Sequence, residues 1–425
     1  MNRYRRNYLA FLGDYVGFGL AMTFASLTTT LPAFIGRLTS SKVVVGLFTS
    51  AADGAWLLPQ LVFANLLMNK RRKKPYVTLG ALLGRPLRLL YALALVLGIH
   101  RNPMAALVLL FVTQVLFLGC DALSSVAWFD VLAKAIPEER RGRLIGASQA
   151  VNGILSIGAG AIIAVLLGGK GPPFPLNYAA IFALSGGFLF LSLFSWLFVL
   201  EPDEPVAEER ASWRDYFPHL LQTLRSDRTF RQVNLVRVLA GFDLLALGFY
   251  ILFATGELGL PPATIGVYAA VQTSGTILAS LVFGTISGRA GSHRVIQVST
   301  ALSMAAPLIG LGLVLGGARG GVAVPVIYGL VFLLVGAVAS SFMLGYFNYV
   351  LELAPAGQRP TYIGLFNTIG GVLVVLPTLG GWLLQETSYG VLFGLTAGVL
   401  AVAHVMSWRL PAIRRPSAAP ASMET

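Results

Sequence analysis

Strongly apolar stretches of twenty or so residues recur about a dozen times along this chain, and the short breaks between them hold most of the lysine and arginine. A run of ~20 apolar residues, at 1.5 Å rise per residue, crosses a hydrocarbon core of ~30 Å. A segment in lipid must satisfy its own backbone polar groups, so long unbroken runs point to helices. A barrel would show alternating segments of ~10 residues instead. Only 12% of the residues are charged and 56% are hydrophobic, whereas a soluble domain carries about 25% charged residues. The expected fold class is therefore an all-α membrane protein. Its twelve transmembrane helices would form two pseudo-symmetric six-helix bundles.

The spans fall at 8–36, 43–68, 76–99, 103–133, 142–168, 176–200, 232–255, 263–288, 293–317, 321–353, 359–385 and 388–410. An even number places both termini on one side. Of the 31 Lys and Arg residues, 23 lie in the terminal segments and the breaks on that side, 5 lie in the opposite breaks and 3 lie inside spans. By the positive-inside rule both termini and the central segment 201–231 are expected in the cytoplasm, with the chain in a cell (plasma or inner) membrane. The same distribution accounts for the net charge of +13. A nucleic-acid domain would gather its basic residues on one face, so no nucleic-acid partner is expected. Arg3, Arg5 and Arg6 precede an apolar run that is too long for a signal h-region and contains Asp14. That run reads as a first span.

The expected organisation is an N-terminal bundle at 1–200, a cytoplasmic linker at 201–231, a C-terminal bundle at 232–410 and a tail at 411–425. In the linker, Trp213, Phe217, Leu220, Leu221 and Leu224 recur at helical spacing beside Arg214, Arg225 and Arg228. That pattern suits an amphipathic helix on the membrane surface. The halves repeat one another. At an offset of 220, Gly46 maps to Gly266 and Leu61-Val62-Phe63 to Leu281-Val282-Phe283; at 218, Phe129, Pro137, Arg141, Ile145, Gly146 and Gly153 map to Phe347, Pro355, Arg359, Ile363, Gly364 and Gly371. A duplicated bundle is a plan that secondary transporters use.

Enzymatic chemistry finds no foothold. The single Cys120 excludes an internal disulfide, and His100, His219, His293 and His404 have no ligand spacing. There is no Walker A, HExxH or Gly-x-Ser-x-Gly sequence. No catalytic residue, cofactor or metal is expected. Charge inside a span is costly and therefore a candidate for function. Asp14, Asp53, Arg85, Arg88, Asp121 and Asp243 are the deep charges. Arg85 and Arg88 lie one turn apart and are expected to point at Asp14, Asp53 or Asp121. A structural ion-pair cluster and a proton-coupling or substrate site both fit these residues. Trp56, Trp128, Tyr250, Tyr346, Gln149, Asn152, Gln272 and Asn367 are neutral residues placed where a binding surface or helix packing would use them.

With these features the chain resembles the major facilitator superfamily: six plus six spans, cytoplasmic termini and a long central segment. The superfamily's signature loop, roughly G-x-x-x-D-R-x-G-R-R/K, follows the second span of each half. Here the loops read Ala64-Asn-Leu-Leu-Met-Asn69-Lys70-Arg71-Arg72-Lys73-Lys74 and Gly284-Thr-Ile-Ser-Gly288-Arg289-Ala-Gly291-Ser-His-Arg294. Asn69 and Gly288 stand where the family has its acid. The resemblance implies a central cavity lined by spans one, four, seven and ten, which makes Asp14, Asp121 and Asp243 cavity candidates. It also makes Asp130, Arg140, Arg141, Arg143, Arg289, Arg294 and Arg359 candidates for a cytoplasmic gate, alongside their reading as topology anchors. The antiporter pattern's proline in span five is missing, while Pro377-Thr-Leu-Gly380-Gly381 occurs in span eleven.

The expected function is secondary active transport of a small molecule by alternating access, with proton-coupled efflux of an amphiphilic compound as the leading form. Protons or another ion and membrane lipids are the expected partners of a monomer. The alternatives are uptake of a polar metabolite such as a sugar or nucleoside, and a non-transporting lipid-handling or sensor protein.

Overall fold

The computed structural model describes residues 3–68, 70–203, 224, 226–318, 321–355 and 358–413. Among the described residues, eleven helical segments are long and apolar enough to cross a membrane. With Arg3–Phe24 (α1) preceding them, they are Lys42–Met68 (α2), Lys74–Val96 (α3), Pro103–Ala135 (α4), Glu138–Leu167 (α5), Leu176–Leu197 (α6), Arg228–Glu257 (α7), Thr264–Ala290 (α8), Ser292–Leu315 (α9), Ala323–Leu353 (α10), Tyr362–Glu386 (α11) and Tyr389–Ser407 (α12). Helix α1 is less apolar than the rest because it carries Asn7, Asp14 and three glycines.

Local chemistry sets several helix ends. Asn102, Asp227 and Ser388 precede α4, α7 and α12, and each side chain accepts a backbone N–H of the first turn. Gly291, at φ 90°, makes the tight turn between α8 and α9. Several spans are broken where the sequence suggests continuity. The first, expected at 8–36, stops at Phe24 and resumes as Thr30–Leu38. Ser26 and Thr28 hydrogen-bond each other in the gap, and Pro32 sits in the first turn of the new helix, where its missing N–H is not needed. In α3, Pro86 splits the helix into Lys74–Gly84 and Pro86–Val96. The surface helix expected in 201–231 lies almost wholly outside the described residues, as does the tail beyond residue 413.

Helices α1 to α6 pack on one another, and so do α7 to α12; the two sets meet along α2 against α11 and α5 against α8. Small residues let these backbones approach. A Cβ at Gly46 would strike Pro377, and one at Gly160 would strike Gly266 and Ala270. Hydrogen bonds reinforce the seam: Thr28 donates to Gln272 (2.9 Å), Ser41 to Gln385 (3.0 Å) and Thr378 to Ser50 (2.8 Å). All these contacts fall in the helix halves away from the chain termini. Toward the termini, Gly142 and Gly146 of α5 and Gly284 and Gly288 of α8 have open space where a Cβ would point. The bundles are joined at one end and parted at the end bearing the termini.

Candidate functional site

The first bundle opens into a cavity of about 440 Å³ walled by α1 to α5. Tyr15, Phe18, Trp56, Trp128 and Phe129 supply an aromatic lining, and Asp14, Asp53, Arg85 and Asp121 supply the charge.

Asp14 is the buried anchor, 4% exposed. Its Oδ1 accepts from Ser192 Oγ of α6 at 2.5 Å and lies 3.5 Å from the Arg85 guanidinium; its Oδ2 accepts from Trp128 Nε1 at 2.8 Å. Arg85 also donates to the Leu189 carbonyl at 3.1 Å. A buried carboxylate with a cation and two neutral donors meets the requirement that buried charge be paired and hydrogen-bonded. Asp121 accepts from Trp56 Nε1 at 3.1 Å. Asp53 lines the same cavity with no hydrogen-bond partner among the described residues.

Arg88 departs from the expectation that both arginines face the carboxylates. Its guanidinium lies 4.8 Å from the centre of the Phe117 ring, in the packing between α3 and α4. Its Nε and Nη2 have no partner. Residues three apart on a helix diverge by about 60°, and Pro86 breaks the helix between them. One guanidinium therefore reaches the cavity while the other is held by an aromatic face.

The second bundle holds a smaller cavity, about 340 Å³, lined by Arg237, Asp243, Gln272, Ser299, Thr300, Ser303 and Tyr346 among others. Helix irregularities gather here: Gly241–Asp243 of α7 is a 3₁₀ turn and Phe342–Phe347 of α10 a π turn. Interrupted helices are the usual way for a bundle to expose polar groups at this depth. Arg237 donates to the Phe366 carbonyl and lies 3.8 Å from the centre of that ring. It makes no ion pair with Asp243. A narrow space between α1 and α8, lined by Gly19, Met22, Gln272 and Thr276 among others, lies between the two cavities.

At the terminal side the first-half loop is tied by acids from elsewhere in the chain. Glu201, just past α6, accepts from the backbone N–H groups of Lys73 and Lys74, each at 2.8 Å, at the start of α3. Asp130 pairs with Lys73 and, at 2.9 Å, with Lys134. Asp130 was an expected gate residue; Lys73 and Glu201 were not, because no local pattern links residues 128 positions apart, whereas Lys134 lies four residues after Asp130 on one helix face and that spacing was available to be read. Arg72 forms a two-pronged pair with Asp203 (2.8 and 2.9 Å) and holds that carboxyl below the usual carboxylate range.

The other gate candidates act within their own bundles. Arg140 stacks over Tyr4 at 4.6 Å, and Arg141 donates to the Ile136 and Ala133 carbonyls at the end of α4. Arg294 donates to Gln297 at 2.9 Å and faces Trp408. Arg143 and Arg289 are exposed, and the Arg359 side chain lies outside the described residues. Among the described residues, none of the gate candidates forms an ion pair across the two bundles.

Two bundles that part at one end, with a charged and aromatic cavity at the parting, define a membrane transporter fold. The sequence profile of the Major Facilitator Superfamily matches residues 15–372 and 233–425, and the chain belongs to that superfamily. No curated protein matches it in sequence. Among solved structures, it is similar to a bacterial homologue of the human lysosomal transporter Spinster in an inward-facing, occupied conformation. The two share 13% identity, with TM-score 0.69 and 99% and 100% of the two chains covered. It is likewise similar to a D-xylose–proton symporter (13%, TM-score 0.69, 96% and 98% covered). A bacterial homologue of the iron transporter ferroportin, inward-facing, gives 15% identity and TM-score 0.67 over 96% and 98% of the chains.

Proposed function

We propose that this protein is a secondary active transporter that exports an amphiphilic small molecule in exchange for protons. The observation that carries the reading is the first-bundle cavity, which is mostly aromatic and apolar but contains three carboxylates and one guanidinium. A pocket of roughly 300–1,000 Å³ with an apolar wall and few polar groups suits a small organic ligand. Carboxylates that face such a cavity can take up and release a proton as access alternates, and that supplies coupling. On this reading the terminal side is cytoplasmic and the cavity is open to it. The chain works as a monomer among membrane lipids, and the joined seam α2–α11 and α5–α8 must part for release outside.

Asp14, Asp53, Asp121 and Asp243 are the proton-coupling candidates. Arg85 fixes Asp14, and Arg88 holds the bundle from within. The salt-linked ends of α3, α4 and α6 serve as a rigid cytoplasmic rim. Uptake of a polar metabolite is the second reading, supported by the polar side chains Gln272, Ser299, Thr300 and Ser303 that gather beside Asp243 in the otherwise apolar second-bundle cavity. Reconstituted vesicles with an imposed pH gradient test the first reading. Substrate movement against its gradient that collapses when the proton gradient is dissipated supports it, and movement indifferent to the gradient removes the coupling.

A further inference from the structure

Within the reading just given, we infer that the ligand of the first-bundle cavity is an organic cation with a delocalised or aromatic body, and that Asp53 and Asp121 are the residues that select its charge. The reasoning begins with the charges around the cavity: Asp14, Asp53, Arg85 and Asp121. Asp14 is spoken for, because Arg85, Ser192 and Trp128 occupy both of its oxygens. Arg85 is likewise spent on Asp14 and the Leu189 carbonyl.

That leaves two carboxylates facing one cavity with no cation paired to either. Asp121 receives a single neutral donor, Trp56 Nε1. Asp53 receives no hydrogen bond. The one guanidinium deep in α3 that is free of carboxylates, Arg88, is turned away onto Phe117 and does not line the cavity. Carboxylates in a low-dielectric setting demand either protons or a cation.

The walls favour the same class. Trp56, Trp128 and Phe129 line the space beside these carboxylates. Trp56 is 38% and Phe129 63% exposed, large values for aromatics of a protein core. Aromatic faces attract a cation's charge and its apolar body at once. An anion would meet two carboxylates and only one, already occupied, guanidinium. A neutral sugar would meet Tyr15, Ser125 and Asn152 on this wall but would leave the two carboxylates without a cation.

The experiment uses the full-length protein in nanodiscs and equilibrium binding of two ions of the same shape and opposite charge, tetraphenylphosphonium and tetraphenylborate, with ethidium as a second cation. At least one cation should bind saturably and resist displacement by tetraphenylborate. Asp53→Asn and Asp121→Asn should each weaken it by about tenfold or more. Asp53→Glu, which keeps the charge, should restore most of the affinity that Asp53→Asn loses, and parental melting temperatures of both Asn variants show that their losses are not misfolding. Failure of both cations to bind, equal binding of tetraphenylborate, or parental affinity in both Asn variants overturns the inference. Counterflow of the bound cation in proteoliposomes reads the transport proposal separately. Charge-selective binding without counterflow would leave the cation site standing and remove transport.

Discussion

Breaking the Asp14–Arg85 pair from one side should cost more than removing it from both. The two groups are 4% and 5% exposed and 3.5 Å apart. At an effective dielectric of about 20 their attraction is roughly 5 kcal/mol. Arg85→Gln deletes that attraction and leaves the Asp14 carboxylate with only Ser192 and Trp128, so it should destabilise the bundle by about 3–5 kcal/mol. Asp14→Asn in the same protein removes the stranded charge and should return about 2–3 kcal/mol of that loss. The assay is a double-mutant cycle on folded fraction during denaturant titration in mixed micelles. Additivity within about 0.5 kcal/mol would refute the pairing as a stabilising unit.

Cysteines placed at exposed Glu139 and Lys170 in a Cys120→Ser background report topology: in intact cells an impermeant thiol reagent should label the position at 170 and spare that at 139, and the reverse pattern would invert the orientation. Gly46→Leu places bulk against the Pro377 backbone where no space exists. Cross-linking between α2 and α11 should fall, and unchanged cross-linking would show that the seam does not depend on close approach. Glu201→Gln weakens the acceptor that holds the Lys73 and Lys74 amides, so hydrogen exchange at the start of α3 should speed up at least several-fold; unchanged protection would show that Glu201 does not hold this helix start. The Asp203 carboxyl sits below its usual range because of Arg72, so any stability the pair gives is present at neutral pH and lost as pH falls through that lowered value. Both groups are exposed, so Asp203→Asn should leave the melting temperature at pH 7 within error.

The spans and the deep charges were legible in the sequence because lipid penalises polar groups so heavily that apolar run length and stray charges carry most of the signal. Asp14 and Arg85 fall into this class. Their contact was inferable as a cost argument, but the Ser192 and Trp128 donors were not, since helix packing angles choose them. Arg88 shows the limit of spacing: one turn from Arg85, it was assigned the same face, and only the Pro86 break and the Phe117 ring explain its turning away. The gap at residues 25–29 was visible in principle as Ser26-Leu27-Thr28-Thr29-Thr30 ahead of Pro32, yet hydropathy alone runs straight through it. Glu201 read as part of an acidic linker because its partners, the Lys73 and Lys74 amides, are distant in sequence. Arg237 is not among the charges singled out from the sequence, although the same cost of burying charge applies to it.

Proton-driven export through the first-bundle carboxylates is tested most directly in proteoliposomes loaded to a defined pH. Accumulation of a bound cation such as tetraphenylphosphonium or ethidium is followed for the parent and for Asp14→Asn, Asp53→Asn, Asp121→Asn and Asp243→Asn, each alongside counterflow without a gradient. The parent should accumulate the cation against its gradient, and at least one Asn variant should lose accumulation while keeping counterflow, with Asp14→Asn also read in an Arg85→Gln background, where no buried charge is left stranded. Accumulation at the parental level in all four variants would contradict it.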